Sequence, residues 1–547
     1  MMSPIQDSRK MWLMRFSSVL FVLTACGSTL VAADRPNILW ISCEDISPNL
    51  GCYGDPHAST PNLDKLATEG ARFTRAFTHA PVCAIVRSGI ITGVYPVSIG
   101  SQHMRSNIVP PPHIRCFTEY LRADGYFCTN RSKTDYQFTP PTTAWDRQGD
   151  THSDWRERGN KDQPFFSVVN LKCSHESQIR HSEAVHKRML ANLKPEQRHD
   201  PDKCASTMPK YLPDTPAARK NWAWYHDNIS EMDRQAGELL QRLEDDGLAD
   251  NTIVVFWSDH GMGLPRGKRW PYDSGTHVPV IVRWPGTINA GSVREDLVTT
   301  MDFPTTMLSL AGLEVPDYMH GRVFLGDETE PAPKHLFFHR DRMDEALEMI
   351  RAVRDNRFRY IRNFESEKPY AQGIDYMDEM PAMQDWRRLN YEGKLTGGQK
   401  NWFAREKPVE ELYDLETDPH ELNNLATNPA QADRLNEFRR ALSDWQVAVR
   451  DTGLIPEPVL MHSMRPKGKK QRTADVQIQQ TNSDANGVSL TCDTPGASIA
   501  YAIVDRNGKP ENWSLYVKPV SVPKGSKLVT KACRIGFRDS SWNTFSP

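Results

Sequence analysis

The stretch His79-Ala80-Pro81-Val82-Cys83 delivers a thiol just ahead of Arg87-Ser88-Gly89-Ile90-Ile91-Thr92, which reads as a short helix that Gly93 closes in the left-handed cap conformation. Cys83 then stands at a helix N-terminus, where free N–H groups and the positive end of the dipole favour anions. Arg87 adds a guanidinium one turn further on. This is chemistry for holding an anion beside a nucleophile. A cysteine near an arginine also arises from plain packing, so the segment alone supports either reading.

Two further polar groups end apolar runs, and the first, a pair of adjacent acids, could hold a cation. Glu44-Asp45 follows the apolar run Asn37-Ile38-Leu39-Trp40-Ile41-Ser42, and Asp259-His260 follows Thr252-Ile253-Val254-Val255-Phe256-Trp257. Adjacent acids repel each other, and hard oxygen ligands suit calcium or magnesium. The same residues also fit a solvated acidic turn. His103 and Arg105 could reach such a site or lie on the surface; Lys133, His175, and Lys268 with its neighbours Arg266 and Arg269 read, taken singly, as ordinary polar positions.

The elements that must position these residues are legible as apolar runs. Asn37–Ser42, Pro164–Leu171 and Thr252–Trp257 suit strands of a parallel sheet buried on both faces. Polar residues at the C-terminal ends of such strands lie where open α/β sheets place their sites. Thr60-Pro61 opens a helix that packs on the sheet, and Ile229, Met232, Ala236, Leu239, Leu240 and Leu243 keep helical spacing until Gly247. Residues 180–220 read as a polar, irregular insertion or rim. Ile350 to Asn363 alternates like paired strands, and 430–450 reads as helix.

Cys83 to Gly93 resembles the signature of the type I sulfatases, in which a cysteine opens a motif running through arginine into a hydrophobic helix that ends in Thr-Gly. In wording, Ser132-Lys133-Thr134-Asp135, His175-Glu176-Ser177-Gln178 and Asp341-Arg342-Met343-Asp344-Glu345 look most like heparan N-sulfatase-like members. The resemblance covers about 34–450. It implies an alkaline-phosphatase-like sandwich: an α/β fold with a central, mostly parallel sheet and a smaller C-terminal α/β subdomain. It also implies that Cys83 is oxidised to formylglycine by a formylglycine-generating enzyme. By the same resemblance, one Ca2+ is held by Glu44, Asp45, Asp259 and His260 facing residue 83. Arg87, Lys133 and Lys268 would bind the sulfate, and His175 would assist the leaving group. The chain departs from the family at Ile85 and Val86, where proline or alanine and often serine stand, and at Asp135, where histidine is usual.

At 547 residues, more than one domain is expected. The resemblance and composition together divide the chain into a signal peptide (1–33), a catalytic domain (34–330), its C-terminal subdomain (331–455), a basic Gln/Asn/Ser-rich linker (456–487) and a small β-sandwich module (488–547). Trp513 and Tyr516 of the module are either sugar-stacking residues or core. In the leader, Arg9, Lys10 and Arg15 precede the apolar run Phe16–Leu23, and Val31-Ala32-Ala33 offers a cleavage site, so the protein is expected to be exported to a periplasmic or extracellular space. Leu23-Thr24-Ala25-Cys26 looks like a lipoprotein cleavage box, which would put a lipid anchor on Cys26. No run is a comfortable transmembrane span. With 67 Lys+Arg against 69 Asp+Glu, nothing points to nucleic acid. Ten cysteines are too few for a disulfide scaffold, although Cys492 and Cys533 are close enough in sequence to pair.

The expected activity is hydrolysis of sulfate esters or N-sulfates on a sulfated glycan. Two other readings stay open: a glycan-binding protein with unmodified Cys83 and little turnover, suggested by Ile85, and a related metal-dependent phosphoryl hydrolase.

Overall fold

A computed structural model describes residues 35–149, 153–481 and 486–547. The leader, its cleavage site and Cys26 lie outside the described residues. Residues 36–547 form a single compact unit.

Its centre is an eight-stranded sheet in the order Arg147–Gly149, Phe127–Arg131, Phe165–Leu171, Asn37–Cys43, Thr252–Ser258, Val280–Arg283, Ala71–Phe73, Ser292–Arg294. Only Val280–Arg283 runs against the others. Both faces are covered, which is why the central strands are predominantly apolar. Leu39 and Ile41 face a layer containing the helices Pro61–Glu69 and Pro216–Asp245. Ile38 and Trp40 face the layer of the helices Cys83–Thr92, Phe117–Ala123 and Asp302–Leu310. Trp40 locks that layer, its ring 4.9 Å from Phe166 and 5.6–5.8 Å from Trp257, Phe303 and Phe117. Truncating so well packed a ring to alanine removes about 3–5 kcal/mol.

A second, antiparallel sheet consists of Leu336–Arg340, Ile350–Arg354, Phe358–Asn363 and Glu410–Asp414, with the helix Ala432–Ala448 packed on it. Beyond it, a three-stranded and a four-stranded sheet enclose Val476, Val488, Leu490, Ile499, Val522, Leu528 and Ala532, the small sandwich that the alternating C-terminal runs suggested.

Three expectations change. Residues 180–220 are not irregular: they hold the helices Glu183–Leu190 and Pro201–Cys204 and the start of Pro216–Asp245. Ser182 and Thr215 cap two of these through hydrogen bonds from Val185 N and Ala218 N. The basic stretch 456–487 carries the helix Glu457–Met464 and the strand Gln477–Gln480, the latter already part of the sandwich. Cys492 and Cys533 are both free. They follow or end strands of the two different sheets, and the Cys492 Sγ lies 3.3 Å from Ala474 O.

Candidate active site and metal centre

Register brings the site together. Cys43 pairs with Leu171 on one side and Ser258 on the other, so three parallel strands end side by side. Their continuations, Glu44-Asp45, Ser174-His175-Glu176 and Asp259-His260, therefore emerge as neighbours. Arg131 is aligned with Val169 in the next strand, which brings Lys133 to the same edge. Asp45 adopts a left-handed backbone, φ 60°, that turns its carboxylate back over the sheet end. Asp45 N donates to Asp259 Oδ1 at 3.2 Å, and Asp259 N donates to Cys43 O at 3.1 Å.

At this point buried acceptors face each other. Glu44, Asp45 and His175 form one convergent group, and Asp45, Asp259 and His260 form another. His260 Nδ1 donates to Gly261 O at 3.0 Å, which turns Nε2 to 3.0 Å from Asp45 Oδ1 and 3.6 Å from Asp259 Oδ1, where a proton sits in the protein alone and a metal ion could replace it. Glu44 Oε1, Asp45 Oδ1 and His260 Nε2 are buried without a hydrogen-bond partner. Orphaned acceptors in a dry site are costly, and a divalent cation would satisfy them together. The residues present thus fit the cation that the sequence pattern implies. In the protein alone, burial would depress the His260 imidazole, yet Asp259 and Asp45 carry it up to about 10. Burial would likewise raise Asp45, but Lys268, His260 and His175 hold it well below the carboxylate range.

Cys83 opens the helix Cys83–Thr92, which begins a turn earlier than the run from Arg87 indicated. Gly93 closes it at φ 70° with its N–H on Gly89 O at 2.8 Å. Gly89 is required by close approach, since a Cβ there would meet the His79 ring at 2.4 Å. The Cys83 side chain lies close enough to His260, Arg87, Lys133 and Lys268 to interact with all four.

Each of those cations is tied to a carboxylate. Arg87 donates through Nε and Nη2 to Asp259 Oδ2, at 3.2 and 3.1 Å, and through Nη1 to Asn170 Oδ1 at 2.6 Å. Lys133 donates to Glu44 Oε2 at 2.8 Å. Lys268 donates to Asp45 Oδ2 at 2.8 Å and lies 2.9 Å from Glu176 Oε1 and 3.3 Å from His175 Nε2. Burial would strip the proton from Lys268, but Asp45 and Glu176 keep it charged. His175 accepts from Ser177 N through Nδ1 and turns Nε2 toward Lys268 and Glu44.

The structure separates the three neighbouring cations of the 266–269 loop. Lys268 points into the cluster. Arg266 turns away to donate to His420 O and Glu421 O between the rings of Tyr211 and Tyr272. Arg269 grips Glu176 with two hydrogen bonds of 2.9 Å and Asp344 with one of 3.0 Å. His103 and Arg105 lie outside the cluster, beside Glu457 at 3.8 Å and Asp344 at 3.5 Å respectively. Asp135 sits on the rim, 3.8 Å from Lys133.

Asn170 escaped the reading of the chain, as did the pairing of Glu176 with Arg269. Asn170 accepts from Arg87 and Ser42 and donates to Asn130 Oδ1 and to the carbonyls of Arg131 and Lys133, fixing four segments at once. Its signal was a lone amide at the end of an apolar strand. Glu176 and Arg269 lock the Lys268 loop to the strand end, and nothing in their spacing shows it. Trp513 and Tyr516 divide: the Tyr516 hydroxyl accepts from Leu490 N within the module, whereas Trp513 packs edge-on against the exposed Trp542.

Residues 36–313 match the sulfatase family model, and residues 263–382 match the C-terminal region of N-sulphoglucosamine sulphohydrolase. An ulvan-active sulfatase of Formosa agariphila is 39% identical, covering 94% of this chain and 92% of its own. Human N-sulphoglucosamine sulphohydrolase is 26% identical, covering 82% and 97%. A Bacteroides fragilis protein solved as a candidate sulfatase superposes with a TM-score of 0.57 at 20% identity, over 79% of this chain and 98% of its own. The sheet, its two helical layers and the strand-end site are the alkaline-phosphatase-like arrangement, and the chain belongs to the sulfatase family, enzymes that hydrolyse sulfuric esters. Among the described residues no helix is long and apolar enough to cross a membrane.

Proposed function

We propose that this protein is an exported sulfatase that removes O- or N-linked sulfate from a sulfated glycan, with residue 83 as formylglycine and one divalent cation, calcium by ligand type. The observation that carries this reading is the convergence of Cys83 with Arg87, Lys133 and Lys268 against the buried Glu44–Asp45–Asp259–His260 cluster. The names of the relatives, one active on ulvan and one on N-sulphoglucosamine, support a glycan substrate. The leader at 1–33 supports export, and Cys26 is the proposed point of attachment if the mature chain is lipidated.

When bound by Glu44, Asp45, Asp259 and His260 beside residue 83, the cation would supply positive charge for the sulfate oxygens. Formylglycine, made from Cys83 by a maturation enzyme, would supply through its hydrate an oxygen nucleophile toward sulfur. The chain's own part is electrostatic and positional. A sulfate monoester repels an incoming oxygen, and Lys133 and Lys268 offset that repulsion from two sides. Arg87, braced by Asp259 and Asn170, fixes the helix that carries residue 83. As the S–O or S–N bond breaks, the pair stays on the sugar atom, and His175 Nε2 delivers the proton that atom needs.

The test is sulfate release from ulvan and from N-sulfated heparan oligosaccharides, run beside matched phosphate esters. Sulfate release alone supports the reading, phosphate release alone would move the protein to the phosphoryl-hydrolase class, and glycan binding without release is the result for a protein with unmodified Cys83.

A further inference from the structure

The connection between the third and fourth strands of the second sheet, residues 364–409, reaches over the catalytic mouth. Its short helix Asp375–Asp378 is anchored by Ile374 and Met377, both fully buried, which leaves Tyr376 between them 36% exposed. The ring centroid lies 6.1 Å from that of His175, and among the described residues this is the aromatic ring that meets His175. The Arg180 guanidinium stacks 3.9 Å from the Tyr376 ring centre and pairs with Glu379, while Arg269 lies 5.9 Å away. Arg180 thus holds the ring beside His175, and part of it stays open to solvent.

The other walls of the pocket are charged and already paired: Lys133 with Glu44, Lys268 with Asp45, Arg269 with Glu176 and Asp344. A pyranose ring has an apolar face of C–H bonds that packs well on an aromatic surface. In sulfate hydrolysis the sugar itself departs, so its ring must lie on the His175 side. We propose that Tyr376 is the stacking wall for the pyranose that carries the scissile sulfate, a specificity-determining residue that selects a sulfated sugar through its ring face. Arg180 is the positioning residue: its cation pins Tyr376 in place and adds positive potential behind an anionic sugar.

This rests on the sulfated-glycan reading, and the experiment separates the two. In a Cys83→Ala background, which cannot turn over, binding of a sulfated ulvan oligosaccharide and of an N-sulfated heparan disaccharide is measured by calorimetry for the parent, Tyr376→Phe and Tyr376→Ala. Thermal unfolding verifies that each variant folds. The expected result for the bound sugar is that Tyr376→Phe stays within about threefold of the parent and Tyr376→Ala weakens binding at least about tenfold, the scale of one ring contact. With Cys83 present, Tyr376→Ala should raise KM more than it lowers kcat. Parent-like binding by Tyr376→Ala, or equal loss in Tyr376→Phe, overturns the stacking wall while leaving the sulfatase reading intact. A folded parent that binds neither sugar overturns both.

Discussion

His260 Nε2 and Asp45 Oδ1 lie 3.0 Å apart, both buried, and the carboxylates around the imidazole keep it charged, so a proton stands between the two atoms in the protein alone. Two acceptors in that position repel unless a proton or a metal ion stands between them, and the carboxylates of Asp259 and Glu44 add to the demand for positive charge. The architecture spends three strand ends on creating this contact. Removing bound metal with a chelator should therefore lower the unfolding temperature, and calcium should restore it; a site filled at a hundred times its Kd contributes about 2.7 kcal/mol. Asp45→Ala should abolish both the metal content measured by elemental analysis and the calcium response.

Arg269 and Glu176 form the buried clasp that fixes the Lys268 loop to the strand end. Arg269→Met leaves the Glu176 carboxylate with Lys268 as its remaining cation, and breaking a buried pair on one side costs about 3–5 kcal/mol. Denaturant unfolding should show that loss. Arg269→Lys should recover only part of it, because an ammonium cannot reproduce two parallel hydrogen bonds.

Asp451 lies against Arg351, with hydrogen bonds of 2.7 and 2.9 Å. Burial would raise its carboxyl, yet the guanidinium carries it down to about 2. A depressed acid stabilises the fold above its unfolded pKa and loses that contribution as pH falls through the folded value. Asp451→Asn should cost about 2 kcal/mol at pH 7, converted at about 1.4 kcal/mol per pKa unit, and the difference should shrink toward zero between about pH 4 and pH 2. Unfolding curves of both proteins across that range measure it.

The central strands were legible because burial on both faces writes them as unbroken apolar runs, and the polar residues that end those runs mark the site. Glu44, Asp45, His175, Asp259 and His260 all follow such runs, and it was the resemblance to the sulfatases that gave them their expected roles. What the chain hid depends on geometry that spacing does not carry. Arg266 and Arg269 take left-handed backbones, φ 65° and 78°, so three neighbouring cations point to three different places. Glu176 and Arg269 meet across 93 positions. The helices of 180–220 were obscured by polar composition, although their caps at Ser182 and Thr215 were present in the letters. The cysteine pairing is absent: the Cys492 Sγ sits against Ala474 O while Cys533 is buried at the end of its strand, placements that proximity along the chain cannot show.

Residue 83 holds the proposed function together, because the hydrate of a formylglycine aldehyde there would be the pocket's nucleophile. Mass mapping of the peptide Ala76–Arg87 from protein secreted by its native host reads that residue directly. The account predicts formylglycine in place of cysteine in protein that releases sulfate. Thiol alone at position 83 in sulfate-releasing protein would contradict it.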